Sequence, residues 1–226
     1  MIGVVAAGLT VAGLAAHGTW HRNSWIFGPV LNHLPTADVS LTFDDGPNPD
    51  ATPVILDVLA REGVKATFFV LGRHADRWPA LVKRMADEGH QIGNHGYFHR
   101  KLHRRTPGYV RDDLTRGVEA IERACGVKPR VFRAPHGFRN PWVTPIARSL
   151  GERTIGWSLG VWDSARPGVD EIVKRTLDGM RAGSILLLHD GDGYDVGGDR
   201  MQTAEALPRI IAGLRDRGFR FAVLPD

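Results

Sequence analysis

Hydrophobic positions in this chain fall into three regimes. Positions 2–16 form an uncharged run of Val, Ala, Leu, Ile and Gly with one Thr. Positions 18–37 mix Trp, Asn, Gly and Pro without a helical period. From position 39 onward, short apolar runs alternate with longer amphipathic ones, as strands alternating with helices do. The runs 39–43, 65–70, 91–94, 130–133, 153–157, 184–188 and 220–224 predict strands. Helices are predicted over 52–63, 79–88, 106–126, 142–150, 169–181 and 203–217. Thr52 and Thr106 stand as N-caps before Pro53 and Pro107, and Gly63, Gly89, Gly126, Gly183 and Gly218 follow the helix ends. Such alternation implies an α/β fold with a mostly parallel sheet and helices outside it. Seven repeats imply a closed or nearly closed barrel.

Length and composition add bounds. The 226 residues suit one sizeable domain, and 42% apolar with 24% charged residues is ordinary for a packed core. Three segments are expected: 1–17 as an export signal or membrane anchor, 18–38 as a linker or docked arm, and 39–226 as the catalytic domain. The first run is shorter than the roughly 20 apolar residues of a spanning helix, and it lacks the basic start of a signal. The formal charge of +4 is compatible with an anionic bacterial wall or membrane face. No basic stripe with interleaved aromatics appears, which argues against nucleic acid. The single cysteine, Cys125, excludes an intrachain disulfide and reads as a packed thiol at a helix end.

In α/β barrels, chemistry sits just past the C-terminal ends of strands. Those places are rich here. Asp44 and Asp45 follow the first predicted strand, and His95 and His99 the third. Arg133 ends the fourth, before Pro135-His136-Gly137; Asp163 follows the fifth; His189 and Asp190 end the sixth. A His-x-x-x-His pair alone is weak, since ten histidines give about 0.4 such pairs by chance. The chain has three, and only His95/His99 begins at a strand end. Adjacent carboxylates at a buried strand end repel unless a cation or proton is shared. Two imidazoles and one carboxylate leave positions open on a metal, as in catalytic zinc sites. Zinc is the first choice for the one divalent cation; Mn, Co, Ni or Fe could use the same ligands. The loop 190–199, with four aspartates and four glycines, departs from EF-hand spacing and reads as a mobile lid or rim.

Four ordered motifs then point to a family. Thr42-Phe43-Asp44-Asp45-Gly46, His95-Gly96-Tyr97-Phe98-His99, Arg133-Ala134-Pro135-His136-Gly137 and Leu187-Leu188-His189 resemble those of the NodB-homology polysaccharide deacetylases, carbohydrate esterase family 4. The resemblance spans about residues 39–224 and implies a deformed (β/α)7-type barrel. It implies Asp45, His95 and His99 as metal ligands, Asp44 as the general base and His189 as the general acid. Arg133 would orient the base, and Asp163 would pair with the acid. The backbone N–H of His136 would serve the oxyanion, and Pro135, Trp162 and Leu187 would help line the substrate pocket. Two departures stand out. The family usually carries Ser or Thr where this chain has Gly96, so another group must hold that loop. The segment 157–163 keeps only the terminal Asp163 of its motif.

The implied activity is hydrolysis of N-acetyl groups on amino-sugar residues of a polysaccharide, of peptidoglycan or chitin type. The protein would work as a monomer at the cell envelope or outside the cell, with anchoring through the first segment as one reading of it. Three rivals use the same residues or none of them: an O-acetyl esterase on a polysaccharide, a hydrolase of small cyclic or sugar-lipid amides, and a non-catalytic glycan-binding module.

Overall fold

A computed structural model describes residues 2–225; the side chains of residues 2–9 and 11 lie outside the described ones, and with them much of the segment read as a signal or anchor. The chain opens with helix α1 (Ile2–Trp20), longer than the apolar run and reaching into the segment expected to be irregular. Among the described residues, no helix is long and apolar enough to cross a membrane.

Seven strands follow: β1 (Ser40–Asp44), β2 (Thr67–Val70), β3 (Gln91–Asn94), β4 (Val131–Phe132), β5 (Arg153–Thr154), β6 (Leu159–Gly160) and β7 (Ile185–His189). They form one curled sheet in the order β5-β4-β3-β2-β1-β7-β6, and every pairing is parallel. Helices α2 (Ala51–Glu62), α3 (Gly72–Arg77), α4 (Pro79–Asp87), α5 (Pro107–Cys125), α6 (Val143–Ser149), α7 (Val169–Gly179) and α8 (Met201–Asp216) complete the layer. Six of these match predicted helices; α3 was not anticipated. The strand count matches for a partly different reason. Residues 220–224 make only a bridge, Val39 to Phe221, and the seventh strand is the two-residue β6.

Alternation along the strands sorts chemistry from core. Leu41 and Phe43 of β1, with Leu186 and Leu188 of β7, face the helices in the main apolar cluster. Thr42 and Asp44 point into the curl on the opposite face. Asp44 and His189 are register partners on neighbouring strands, so both emerge at the same mouth of the barrel.

Two local corrections concern helix starts and edges. Thr52 is not an N-cap. Asn48 Oδ1 accepts the N–H groups of Asp50 and Ala51, while the Thr52 hydroxyl donates to buried Asp190 at 2.6 Å. Thr106 does cap α5, accepting from the Tyr109 N–H. At the sheet edge, Leu31 bridges Ile155 beside β5, and His33 bridges Ser184 at the start of β7. Residues 31–34 thus span from one edge strand to the strand beside the other edge, and Leu34 is buried. The arm is fixed by Arg139, 1% exposed, whose guanidinium donates to the Ser24 and Arg22 carbonyls and to Thr144 Oγ1.

The connection from His95 to His99 shows what replaces the missing hydroxyl. Asp113, buried on α5, accepts the N–H of Tyr97 at 3.2 Å and of Phe98 at 3.1 Å. Asn94 Oδ1 accepts the N–H of Gly96, and Asn94 Nδ2 donates to Glu152. Gly96 has φ +75°, and a Cβ there would stand 2.5 Å from Asp113 Oδ2. Asp113 therefore occupies the space a side chain at 96 would need and does the holding itself.

Two outcomes follow from these anchors. Asp113→Ala should free the 96–98 backbone and weaken binding of a divalent cation at His95 and His99 about tenfold or more, read by titration calorimetry; unchanged affinity would show that the loop holds itself. Arg139→Met should cost about 2 kcal/mol in urea denaturation, because it strands buried carbonyls. It should also speed tryptic cleavage at exposed Arg22.

Candidate metal centre and active site

Asp45, His95 and His99 are all buried, and their ligand atoms lie within 4.8 Å of one another; no other such group occurs among the described residues. Asp45 Oδ1 is 3.3 Å from His95 Nε2 and 3.1 Å from His99 Nε2. His95 Nδ1 is 2.8 Å from the Arg133 carbonyl, so that nitrogen carries the hydrogen and Nε2 presents its lone pair to Asp45. Asp45 Oδ1 itself has no hydrogen-bond donor. Three ligand atoms that converge on one buried point fit a cation. The protonation equilibria report the negative field that would draw a cation to this point: burial opposes charge on His95, yet the Asp44 and Asp45 carboxylates raise its pKa. Burial likewise opposes charge on Asp45, and His99 and His95 overcome it, holding the carboxyl well below its usual range.

The backbone at this mouth is held in rare conformations. Four of the five described non-glycine residues with positive φ, Asp45, His99, His136 and Trp162, line one cleft. Such strain persists only where surroundings enforce it. At Asp45 the enforcement is visible: His74 Nδ1 donates to its carbonyl at 2.8 Å. Burial lowers the His74 pKa to about 4, so this imidazole is neutral and its Nδ1 is the donor.

On one side of the cluster stands Asp44. Arg133, fully buried, donates to Asp44 Oδ1 at 2.7 Å, to Thr42 Oγ1 at 2.8 Å and to the Gly156 carbonyl at 2.9 Å. Its guanidinium lies 4.1 Å over the Phe69 ring, which supplies part of the solvation that water would otherwise give. On the other side stands His189. Its Nδ1 is 2.9 Å from Asp163 Oδ1, and its backbone N–H donates to Asp163 Oδ2 at 2.8 Å. Thr203 Oγ1 donates to that same oxygen. Burial works against a charged His189, but Asp163 first and then Asp45 and Asp44 push its pKa up to about 9.

These groups open onto a cleft of about 610 Å³. His136, Trp162 and Leu187 line it. Pro135 does not; it is buried and packs toward Gly96. The His136 ring, made neutral by burial with a pKa lowered to about 4, bonds Tyr194 Oη at 2.8 Å. Tyr194 belongs to the 190–199 loop, which forms part of the rim. Arg200 grips the loop through the Gly191 carbonyl and Asp192, and Arg73 donates to the Gly193 carbonyl. Gly193 backs directly onto His99, where a Cβ would meet the ring at 2.0 Å. Trp20, Arg22, Lys101, Phe138 and Trp157 also line the cleft, and sequence reasoning had not placed them there.

Residues 32–155 match the polysaccharide deacetylase family. A chitooligosaccharide deacetylase of Bradyrhizobium sp. (strain ANU 289) is 43% identical over 200 residues, covering 84% of this chain and 90% of the relative. A peptidoglycan-N-acetylglucosamine deacetylase of Bacillus cereus is 37% identical, covering 83% and 86%. A crystal structure of a peptidoglycan N-acetylglucosamine deacetylase, in complex with 4-naphthalen-1-yl-N-oxidanyl-benzamide, superposes with a TM-score of 0.79 at 35% identity, covering 87% of this chain and 90% of that one. With the ordered motifs, the curled seven-stranded barrel and the Asp-His-His cluster at its mouth, the chain belongs to the polysaccharide deacetylase family, the NodB-homology fold of carbohydrate esterase family 4.

Proposed function

We propose that the protein hydrolyses the N-acetyl groups of N-acetylglucosamine residues in a cell-envelope glycan, using one divalent cation held by Asp45, His95 and His99. The observation that carries this reading is the pair of proton-handling groups flanking the cluster. Asp44 and His189 are register partners at one mouth, one fastened by Arg133 and the other by Asp163. Zinc suits the two imidazoles and one carboxylate best. When bound, such a cation supplies Lewis acidity, polarising a carbonyl and making water easier to deprotonate.

The chain's own residues divide the remaining work. Asp44 takes a proton from the attacking water while the new C–O bond forms on the acetyl carbon. Arg133 keeps the accepting carboxylate turned toward the cleft. The backbone N–H of His136 donates to the developing oxyanion. His189 Nε2 gives its proton to the amide nitrogen as the C–N bond breaks, because an amine leaves poorly unless protonated. Acetate and a free amino sugar result. Leu187 and Trp162 wall the space for the acetyl methyl.

Activity measurements on the native protein and on two variants test this. Zinc-loaded protein incubated with N-acetylglucosamine oligomers or peptidoglycan fragments should release acetate, with the loss of one acetyl group per site read by mass spectrometry. Removal of the metal by chelation should abolish the release. His189→Ala should lower kcat by about 10²-fold or more; a variant retaining most activity would point instead to ester substrates, whose leaving group needs less acid help. In the native protein the raised His189 pKa keeps the proton available until the pH approaches about 9, so activity should fall above it. Asp163→Asn removes the main group raising that pKa. It should move the alkaline limb of the kcat profile to lower pH by about one unit or more.

A further inference from the structure

The cleft wall that faces the N-terminal segment has no part in the chemistry above, yet it is well built. The indole of Trp20, at the end of α1, is 56% exposed and packs its edge on Phe138 at 5.0 Å and on His103 at 5.1 Å. The Arg22 guanidinium lies 5.1 Å over the Trp157 ring, and Asn23 Nδ2 donates to the Trp157 carbonyl at 3.0 Å. Gly137 permits this closeness: a Cβ there would stand 2.7 Å from the Trp157 ring and 3.0 Å from Arg22 Cβ. Arg139 clamps the carbonyls of Arg22 and Ser24 from below. Residues 20–22 precede the 32–155 segment that matches the family.

Charge distinguishes this wall from the rest of the cleft. Each carboxylate lining it has a cationic or imidazole neighbour: Asp44 has Arg133, Asp163 has His189, Asp192 has Arg200, and Asp45 has the two histidines. Arg22 and Lys101 also line the cleft, and neither has a carboxylate within ion-pair distance among the described residues. Two uncompensated positive charges therefore line the same cleft as an exposed indole: Arg22 on the arm, and Lys101 close enough to His103, on which Trp20 packs, to act on its charge. A stacked aromatic arginine keeps its outward N–H groups free for a planar anion, and a flat ring face suits the apolar face of a pyranose.

We propose that Trp20, Arg22 and Lys101 form a subsite for a carboxylate-bearing sugar adjacent to the N-acetylglucosamine residue being deacetylated. Trp20 stacks on the sugar ring, and Arg22 and Lys101 pair with its carboxylate. This deepens the deacetylase reading and rests on it for the placement of the reacting residue. It assigns the chain a preference for glycans that alternate neutral and acidic residues over uniformly neutral ones, because complementary charge sets specificity more than it sets overall affinity.

Binding and turnover separate the two claims. Zinc-loaded Asp44→Asn protein is titrated calorimetrically with neutral N-acetylglucosamine tetramer and with a tetrasaccharide alternating N-acetylglucosamine and N-acetylmuramic acid. The acidic glycan should bind about tenfold more tightly at low salt, an advantage that shrinks as salt is raised. The double variant Arg22→Gln/Lys101→Gln should erase that preference while leaving the neutral tetramer within about twofold, which also shows that the variant is folded. Trp20→Ala should weaken both glycans. Equal affinity of the parent for the two glycans, no measurable binding of the acidic one, a preference that survives the double substitution, or unchanged binding in Trp20→Ala would each overturn the subsite. Acetate release by unsubstituted protein from either glycan is scored independently, and its absence would count against the deacetylase reading alone.

Discussion

A buried carboxylate oxygen with two imidazole nitrogens aimed at it is the constraint on which this molecule turns. Left alone, Asp45 would carry an uncompensated charge out of water at a cost of several kcal/mol. Positive φ at Asp45, His99 and His136 adds about 1–3 kcal/mol each. A divalent cation held there would offset these costs, since a tightly bound metal contributes on the order of 10 kcal/mol. The surrounding hydrogen bonds make sense only on that scale. The Arg133 carbonyl fixes the His95 tautomer, His74 holds the Asp45 carbonyl, and Asp113 ties down the backbone between the two histidines. None of them touches the convergence point. Each narrows the positions that the three acceptors can adopt.

The barrel supplies the remainder of the site through register. Parallel β1 and β7 bring Asp44 and His189 level with one another, so two ionisable groups share a mouth without sharing a loop. Their environments then diverge. Asp44 meets a guanidinium that is itself fully buried and held by Thr42, Gly156 and the Phe69 face. His189 meets a carboxylate supported by Thr203 and by the backbone N–H of His189 itself. A carboxylate fastened to a cation and an imidazole fastened to a carboxylate are suited to opposite halves of one proton transfer. Asp163 can do this even though the motif around it is degenerate, because the pairing needs one carboxylate at the end of β6 and little else.

Residues on strand ends were the most legible part of the sequence, since apolar runs fix the strands and the polar residues that terminate them stand out. The two-residue β6 was not legible: Leu159 and Gly160 show no alternation, and their pairing with β7 is a tertiary event. Residues 220–224 show the reverse, a good strand pattern that meets only one partner, at Val39. Thr52 looked like a cap because of Pro53, but its hydroxyl was drawn to Asp190 across the chain. Asp113 left a signal that went unread. It occupies a core position of α5, on the face that also buries Val110, Leu114, Gly117 and Ile121, and an acidic residue there needs buried donors to face.

A docked arm was one of the two readings of residues 18–38, but its contacts were not legible, and the cause is physical. Residues 18–37 have no period because they form neither helix nor strand over most of their length; their partners lie more than a hundred positions away, in Arg139, Trp157, Ile155 and Ser184. Local pattern cannot reveal contacts of that span. Yet these contacts place Trp20 and Arg22 on the same cleft as the cluster, while the strand ends carry the reacting groups. Hydrolysis of an acetyl amide requires the same few atoms whatever polymer presents it, so those atoms belong on the rigid sheet. The polymer's neighbouring residues differ from one glycan to another, and the groups that meet them belong on segments able to change without disturbing the barrel. An arm that crosses the sheet edge and ends at the cleft wall meets that requirement, provided that something as costly to bury as Arg139 holds it there.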